Sequence, residues 1–229
     1  MINFLADLYA SGDTVRLFMV AGLLALAAVC AYLLGCFNGA VIVSKYILRN
    51  DVRNHGSGNA GLTNFYRVFG GPLTAAVILT DMLKMVAAVE IVKALFYLIA
   101  AEQFLLEGKY WAGMFCLLGH MFPCMFQFKG GKGILSGGTL LLMVDWRIAL
   151  VGWGGFIILV ALTRMVSLGS VWAASSFIFT TWFVYHDPLL LVLGAISGGL
   201  VVWKHRGNIQ RILNGTESKL VLRKKKGGE

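Results

Sequence analysis

The chain has 229 residues, 58% of them hydrophobic and only 14% charged, with a formal net charge of +9. A soluble domain carries about 45–50% apolar and about 25% charged residues, so this composition excludes an ordinary water-soluble globule and indicates a polytopic membrane protein. In that setting the positive balance reads as inner loops facing anionic lipid, not as a nucleic-acid footprint.

A membrane-spanning helix needs about 20 mostly apolar residues, and on that measure seven spans are predicted. The first runs from Leu17 to Leu48, with a possible break between Gly35 and Gly39, and serves as its own insertion signal because no small-residue cleavage site follows it. The second covers Leu73 to Ala101 and carries charges; the third covers Tyr110 to Phe128. The fourth, Ile134 to Val144, is short enough to be re-entrant. Ile148 to Thr163, Leu168 to Tyr185 and Leu189 to Trp203 complete the set. The expected fold is therefore all-α, a single integral membrane domain over 1–229, with its core at about 32–217 and a basic tail at 218–229.

Placing the N-terminus outside and the C-terminus in the cytoplasm puts 15 of the 20 basic residues on the inner side. The outer side keeps Arg16, Lys109 and Arg147 beside acids such as Asp7, Asp13 and Glu107. Lys84 and Lys93 fall within the second helix, where Asp81/Lys84 and Glu90/Lys93 stand i, i+3 and read as self-neutralising pairs, with Lys84 the member expected to reach a site.

Gly56, Gly58 and Gly61 have the G-x-G-x-x-G spacing of a dinucleotide loop. That fingerprint needs a preceding strand and an α/β unit, whereas "YILRNDVRN" is a basic exit from a membrane helix. A nucleotide domain does not fit. Four inner segments instead concentrate small polar and basic residues: Gly56–Arg67, Gly119–Gly133, Arg164–Ser170 and His205–Glu217. Positive inner loops are common to membrane proteins, but here Gly, Ser, Asn, Thr and Arg recur together. Glycine backbone amides form nests for anions, Arg forks onto phosphate oxygens, and Lys supplies a mobile point charge. The pattern suits a small, multiply charged anion held at a membrane surface.

Other chemistries find little support. There is no G-x-S-x-G elbow, "GGKG" is not a P-loop, and no His opens an H-x-x-x-x-D dyad. His55, His120, His186 and His205 lack ligand spacing, so neither metal nor cofactor is expected. Cys30, Cys36, Cys116 and Cys124 read as buried membrane thiols.

"GSGNAGLTN" with Arg67, "GHMFP" with "FKGGKG", and "HRGNIQRILNGTE" together resemble three motifs of the bacterial acyl-phosphate:glycerol-3-phosphate acyltransferase family. Leu62 stands where Ala is usual in that family, "GCFN" lacks a common proline, and about 25 residues precede the core. The resemblance implies acyl transfer from acyl phosphate to the sn-1 hydroxyl of glycerol 3-phosphate. The products would be lysophosphatidic acid and phosphate, formed in the bacterial plasma membrane on its cytoplasmic side. Partners would be the two substrates, membrane lipids and the enzyme that makes acyl phosphate, with no nucleic acid.

On this reading Ser57, Asn59 and Thr63, with the amides of Gly58, Gly61 and Asn64, hold one phosphate. Arg67, Lys132, Ser167, His205 and Asn208 hold the other, with Lys129 a looser member and Gly130 and Gly131 lending backbone; the two clusters are interchangeable at this stage. Glu217 would serve as a base or, the preferred reading, hold Arg67 or a lysine in place. His120 is the candidate general base, but a base supplied by substrate phosphate is preferred because no dyad is visible. The competing class is a transporter or exchanger of a phosphorylated metabolite, against which no internal repeat is seen.

Overall fold

In the computed structural model, residues 1–99 and 101–220 are described, and among them every regular element is helical. The basic run Arg223–Lys226 lies outside the described residues. A short helix α1 (Ile2–Ala10) turns back onto α2 (Thr14–Cys36), and the Met1 amine lies 3.6 Å from the Glu107 carboxylate. Asp13 caps α2 by accepting the Arg16 amide at 3.1 Å.

The expected break in the first span is real. Asn38 causes it: its Oδ1 accepts the Val41 amide at 3.0 Å, starting α3 (Gly39–Ile42), while its Nδ2 donates to the Ala60 carbonyl at 3.0 Å. One π-helical turn, Val43–Ile47, completes the run. After α4 (Leu62–Val68) comes α5 (Leu73–Leu98), then α6 (Leu105–Met121), α7 (Ile134–Val144), α8 (Trp146–Thr163), α9 (Val166–Tyr185), α10 (Pro188–Lys204) and α11 (Arg206–Leu213).

Each of the seven expected apolar segments corresponds to a helix, but the third is displaced. It spans Leu105–Met121 and not Tyr110–Phe128, because Pro123 cannot continue the ladder and Gln127 and Phe128 adopt left-handed backbone. Among the described residues, three helical runs are long and apolar enough to cross a membrane: Thr14–Ile47, α8 and α9. A fourth qualifies if α10 and α11, bent by 58°, are counted together. Large apolar side chains cover the outside, with Phe18, Leu98, Leu162 and Phe183 each at least 73% exposed, as a lipid-facing surface requires.

Inside the bundle, small residues set the spacing. A Cβ on Gly35 would strike the Cys116 carbonyl oxygen, and one on Gly119 the Tyr32 carbonyl oxygen, so α2 and α6 touch backbone to backbone. Polar side chains tie the remaining seams. Tyr110 and Thr181 share a hydroxyl bond at 2.8 Å, and the Trp153 indole donates to the Gly138 carbonyl at 3.0 Å. These contacts tie α6 to α9 and α7 to α8.

Candidate functional site

The four polar segments converge on one cavity of about 310 Å³. The first segment is shaped by Asn64, which is almost fully buried. Its Oδ1 accepts the Ser57 amide at 2.9 Å, and its Nδ2 donates to the carbonyls of Val52, His55 and Asn59 at 3.0–3.2 Å. Gly56 follows that fold with φ of 58°, and a Cβ there would strike Asn64 Oδ1. Asn64 thus lines the cavity as the clasp of the loop, its amide already committed. Ser57, Asn59, Gly61, Thr63 and Arg67 line the cavity beside it. Among the described residues Arg67 makes one side-chain bond, at 3.3 Å to Ser218 Oγ, which leaves most of its fork uncommitted to them.

The second segment brings His120 and Lys132 to the cavity and carries its other candidates away from it. Gly130 and Gly131 pack on His120: a Cβ on the former meets its carbonyl oxygen, and on the latter its imidazole. Lys129 contributes its carbonyl to Arg53 at 3.5 Å. Gly58, Lys129, Gly130 and Gly131 therefore do not line the cavity, contrary to expectation; the glycines there permit close packing of backbone.

The third and fourth segments form a cage around Glu217. Its Oε1 accepts Ser167 Oγ at 2.9 Å and Asn208 Nδ2 at 2.8 Å, and its Oε2 accepts Arg211 Nε at 2.8 Å. The expected partner, Arg67 or a lysine, is thus replaced by Arg211. Burial opposes the Glu217 charge, but these donors outweigh it and hold the carboxyl below its usual range. Asn208 passes the arrangement on, since its Oδ1 accepts a hydrogen from Lys132. Burial, with Arg211 and Arg67 nearby, pushes the Lys132 ammonium down to about 8. Arg67, Lys132 and Arg211 against Glu217 leave two positive charges over, the complement of a phosphate dianion.

His205 Nδ1 lies 2.8 Å from the Val201 carbonyl, which only accepts, so that nitrogen carries the proton. Burial brings His205 down to about 4, keeping it neutral. Its Nε2 is consequently an acceptor, suited to a hydroxyl and unsuited to a phosphate oxygen.

The cavity floor holds a sealed cluster. The Lys84 ammonium donates to Asp81 Oδ1 at 2.8 Å, to His120 Nδ1 at 2.7 Å and to the Phe37 carbonyl at 3.0 Å, using all three of its hydrogens. The Asp81/Lys84 and Glu90/Lys93 pairs form as expected, but it is Asp81 that borders the cavity while Lys84 stands behind it. Because His120 Nδ1 accepts from Lys84, its proton sits on Nε2, and the ring in this state offers a donor and no base.

Leu62, Ile134, Leu135, Trp153, Phe156 and Val166 supply an apolar wall. Sequence reasoning missed this wall along with Asp81, Ser170, Arg211 and Ser218. Arg211 was within reach: His205, Asn208 and Arg211 recur at i, i+3, i+6 and so share one face of α11. Among the described residues no group of three or more His, Cys, Asp or Glu is placed to hold a metal ion.

Comparison with known proteins gives concordant matches. The glycerol-3-phosphate acyltransferase family pattern matches residues 25–215. A glycerol-3-phosphate acyltransferase of Thermoanaerobacter pseudethanolicus is 38% identical over 195 residues, covering 85% of this chain and 94% of that protein. The Bacillus subtilis protein of the same name is 37% identical over 198 residues, covering 86% and 98%. The crystal structure of PlsY (YgiH), described as an integral membrane glycerol 3-phosphate acyltransferase in its glycerol 3-phosphate form, superposes with a TM-score of 0.75 at 30% identity, covering 86% of this chain and 96% of that one. Its lysophosphatidic acid form gives 0.72 at 29% identity, covering 86% and 95%.

Proposed function

The chain belongs to the glycerol-3-phosphate acyltransferase family, and from that premise we propose how its cavity performs acyl transfer. The protein is an integral membrane acyltransferase of phospholipid synthesis that uses glycerol 3-phosphate, and membership of this family sets aside the transporter alternative. For the donor we propose acyl phosphate, and for the product 1-acylglycerol 3-phosphate. We further place seven spans in the plasma membrane, N-terminus outside, with the cavity on the cytoplasmic face where the basic loops gather.

One observation carries this reading: a single cavity is lined both by residues with two surplus positive charges and by Trp153, Phe156 and Leu135. A soluble dianion and a greasy chain with an anionic head meet there. Arg67, Lys132 and Arg211 hold the glycerol 3-phosphate dianion, while Ser57, Asn59 and Thr63 hold the donor phosphate against the apolar wall. The sn-1 oxygen attacks the acyl carbon, the bond from that carbon to the phosphate oxygen breaks, and inorganic phosphate departs. Holding both anions in register supplies most of the rate, since the donor is already activated.

The hydroxyl proton has two bases within this picture. His205 Nε2 accepts it as a hydrogen bond and so orients the hydroxyl, but a nitrogen of pKa about 4 is a weak base. An anionic oxygen of the donor phosphate gains basicity as its bond to the acyl carbon breaks, so it can receive the proton as phosphate departs. The donor phosphate therefore takes the proton, and His205 is a positioning residue.

The test is phosphate release by purified protein given palmitoyl phosphate with and without glycerol 3-phosphate, and again with palmitoyl-CoA. Release that requires glycerol 3-phosphate and yields lysophosphatidic acid, with the CoA ester inert, is the expected result. Turnover of the CoA ester, or none from folded protein, overturns the donor assignment.

A further inference from the structure

Two of the four cysteines meet at the loop that delivers Lys132. Cys36 ends α2 and is fully buried, whereas Cys124 opens the turn after Pro123 and is exposed, contrary to the expectation that all four thiols are buried. Their Sγ atoms lie 3.7 Å apart, 88 positions apart in the chain, so no spacing motif announces the pair. We propose that Cys36 and Cys124 form a paired oxidation site, which a hydroperoxide converts to a disulfide that displaces the Lys132 loop and slows turnover. The effect on turnover rests on the acyltransferase reading above; formation of the bond does not.

The site is built for the reaction on both sides. Cys124 lies among exposed apolar side chains, with Met125 51% and Phe128 60% exposed, an apolar rim that lipid hydroperoxides can reach. Its sulfur attacks the peroxide O–O bond, giving a sulfenic acid and the alcohol ROH. The Cys36 thiol then attacks that sulfur, forming the S–S bond and releasing water. Two electrons pass from the thiols to the peroxide, and no other reactant is needed. Disulfides on a cytoplasmic face are transient and sensing rather than structural, which suits a pair that the resting protein keeps reduced.

Closing 3.7 Å to a bond of about 2.05 Å requires movement, and the packing decides where it falls. Cys36 cannot advance, because α2 rests on α6 backbone to backbone at Gly35 and Gly119. The Cys124 turn must come to it. That turn is held by Arg53 Nη1 on the Phe126 carbonyl at 2.9 Å and leads within eight residues to Lys132. On the other side Cys36 precedes Phe37, whose carbonyl holds Lys84. Cys30 and Cys116, on α2 and α6, serve as internal controls.

Full-length protein in detergent would be treated with hydrogen peroxide, denatured, alkylated with N-ethylmaleimide and weighed. Four adducts before oxidation and two after are expected, with a Cys36–Cys124 linked peptide on digestion. Phosphate release dependent on glycerol 3-phosphate should fall at least fivefold and return with dithiothreitol. The exposed-site variant Cys124→Ser should keep its basal rate and lose the sensitivity. Four adducts after peroxide, a singly oxidised Cys124 without the cross-link, or a cross-linked enzyme at full rate would overturn the proposal. An enzyme with no turnover even when reduced would refute the function reading, while the adduct count still decides the bond.

Discussion

Lys84 stands behind the cavity wall and Lys132 within it, and the two ammonium groups are held in opposite ways. Lys84 has an acceptor for each of its three hydrogens, among them the Asp81 carboxylate. Lys132 has one side-chain acceptor, Asn208, and its nearest charges are mostly of its own sign. A cation sealed with its counter-ion is part of the scaffold, because in a low-dielectric interior an incomplete set of partners is too costly to keep. A cation left short of partners is held ready for an anion that arrives later. The two lysines show that a charge beside a cavity indicates binding only when its own hydrogens are still unspent.

The comparison can be broken most severely at the sealed end. Lys84→Met strands the Asp81 carboxylate, and thermal unfolding in detergent should show a loss of about 3–5 kcal/mol, largely recovered by Asp81→Asn/Lys84→Met. A single variant as stable as the parent would mean that the cluster is not sealed. At the open end the order of effects reverses. Arg67→Ala should leave the unfolding midpoint in place but reduce kcat/KM for glycerol 3-phosphate about 100-fold, the scale of losing a forked charged contact of about 1.5–3 kcal/mol. His120→Asn, whose amide oxygen can take the same Lys84 hydrogen, should keep kcat within about threefold; a loss matching that of Arg67→Ala would restore His120 as the base.

Glu217→Gln weakens the bonds to Ser167, Asn208 and Arg211 together while keeping its shape, and a fall of about tenfold in kcat/KM is expected. The smallest effect sharpens the comparison through pH. Lys132 is charged below its depressed pKa of about 8 and loses that charge as pH rises through it. The kcat/KM profile for glycerol 3-phosphate should therefore bend down near pH 8, and Lys132→Arg, which stays charged, should remove the bend.

Much of this was legible in the amino-acid order. Runs of apolar residues gave the helices, and Asn38 and Pro123 show why two of them stop where they do. The loops disclosed Arg67, Lys132, Ser167, Asn208 and Glu217 because small polar residues clustered with cations are rare in so apolar a chain. The apolar wall was not legible. Trp153 and Phe156 sit in a helix that is hydrophobic all round, so no periodicity distinguishes the side turned to the cavity from the side turned to lipid. The glycines misled for a related reason: Gly130 and Gly131 look like an anion nest in one dimension and prove to be the clearance that His120 needs. Asp81 and Lys84 were visible as a pair, but which of them borders the cavity depends on how α5 is rotated against α6.

The shortness of α7 bears on where the acyl carbon is delivered. Its 11 residues climb only about 16 Å, against about 30 Å of hydrocarbon. On the proposed topology, with Asp145 at the outer boundary, Gly133 and the cavity edge it forms lie roughly half way into the membrane. On that topology the polar cavity is a well sunk among the lipid tails. Water and a soluble dianion would then descend to meet a carbonyl that never has to be lifted out of the bilayer, and the product would be made at the depth where its chain already rests.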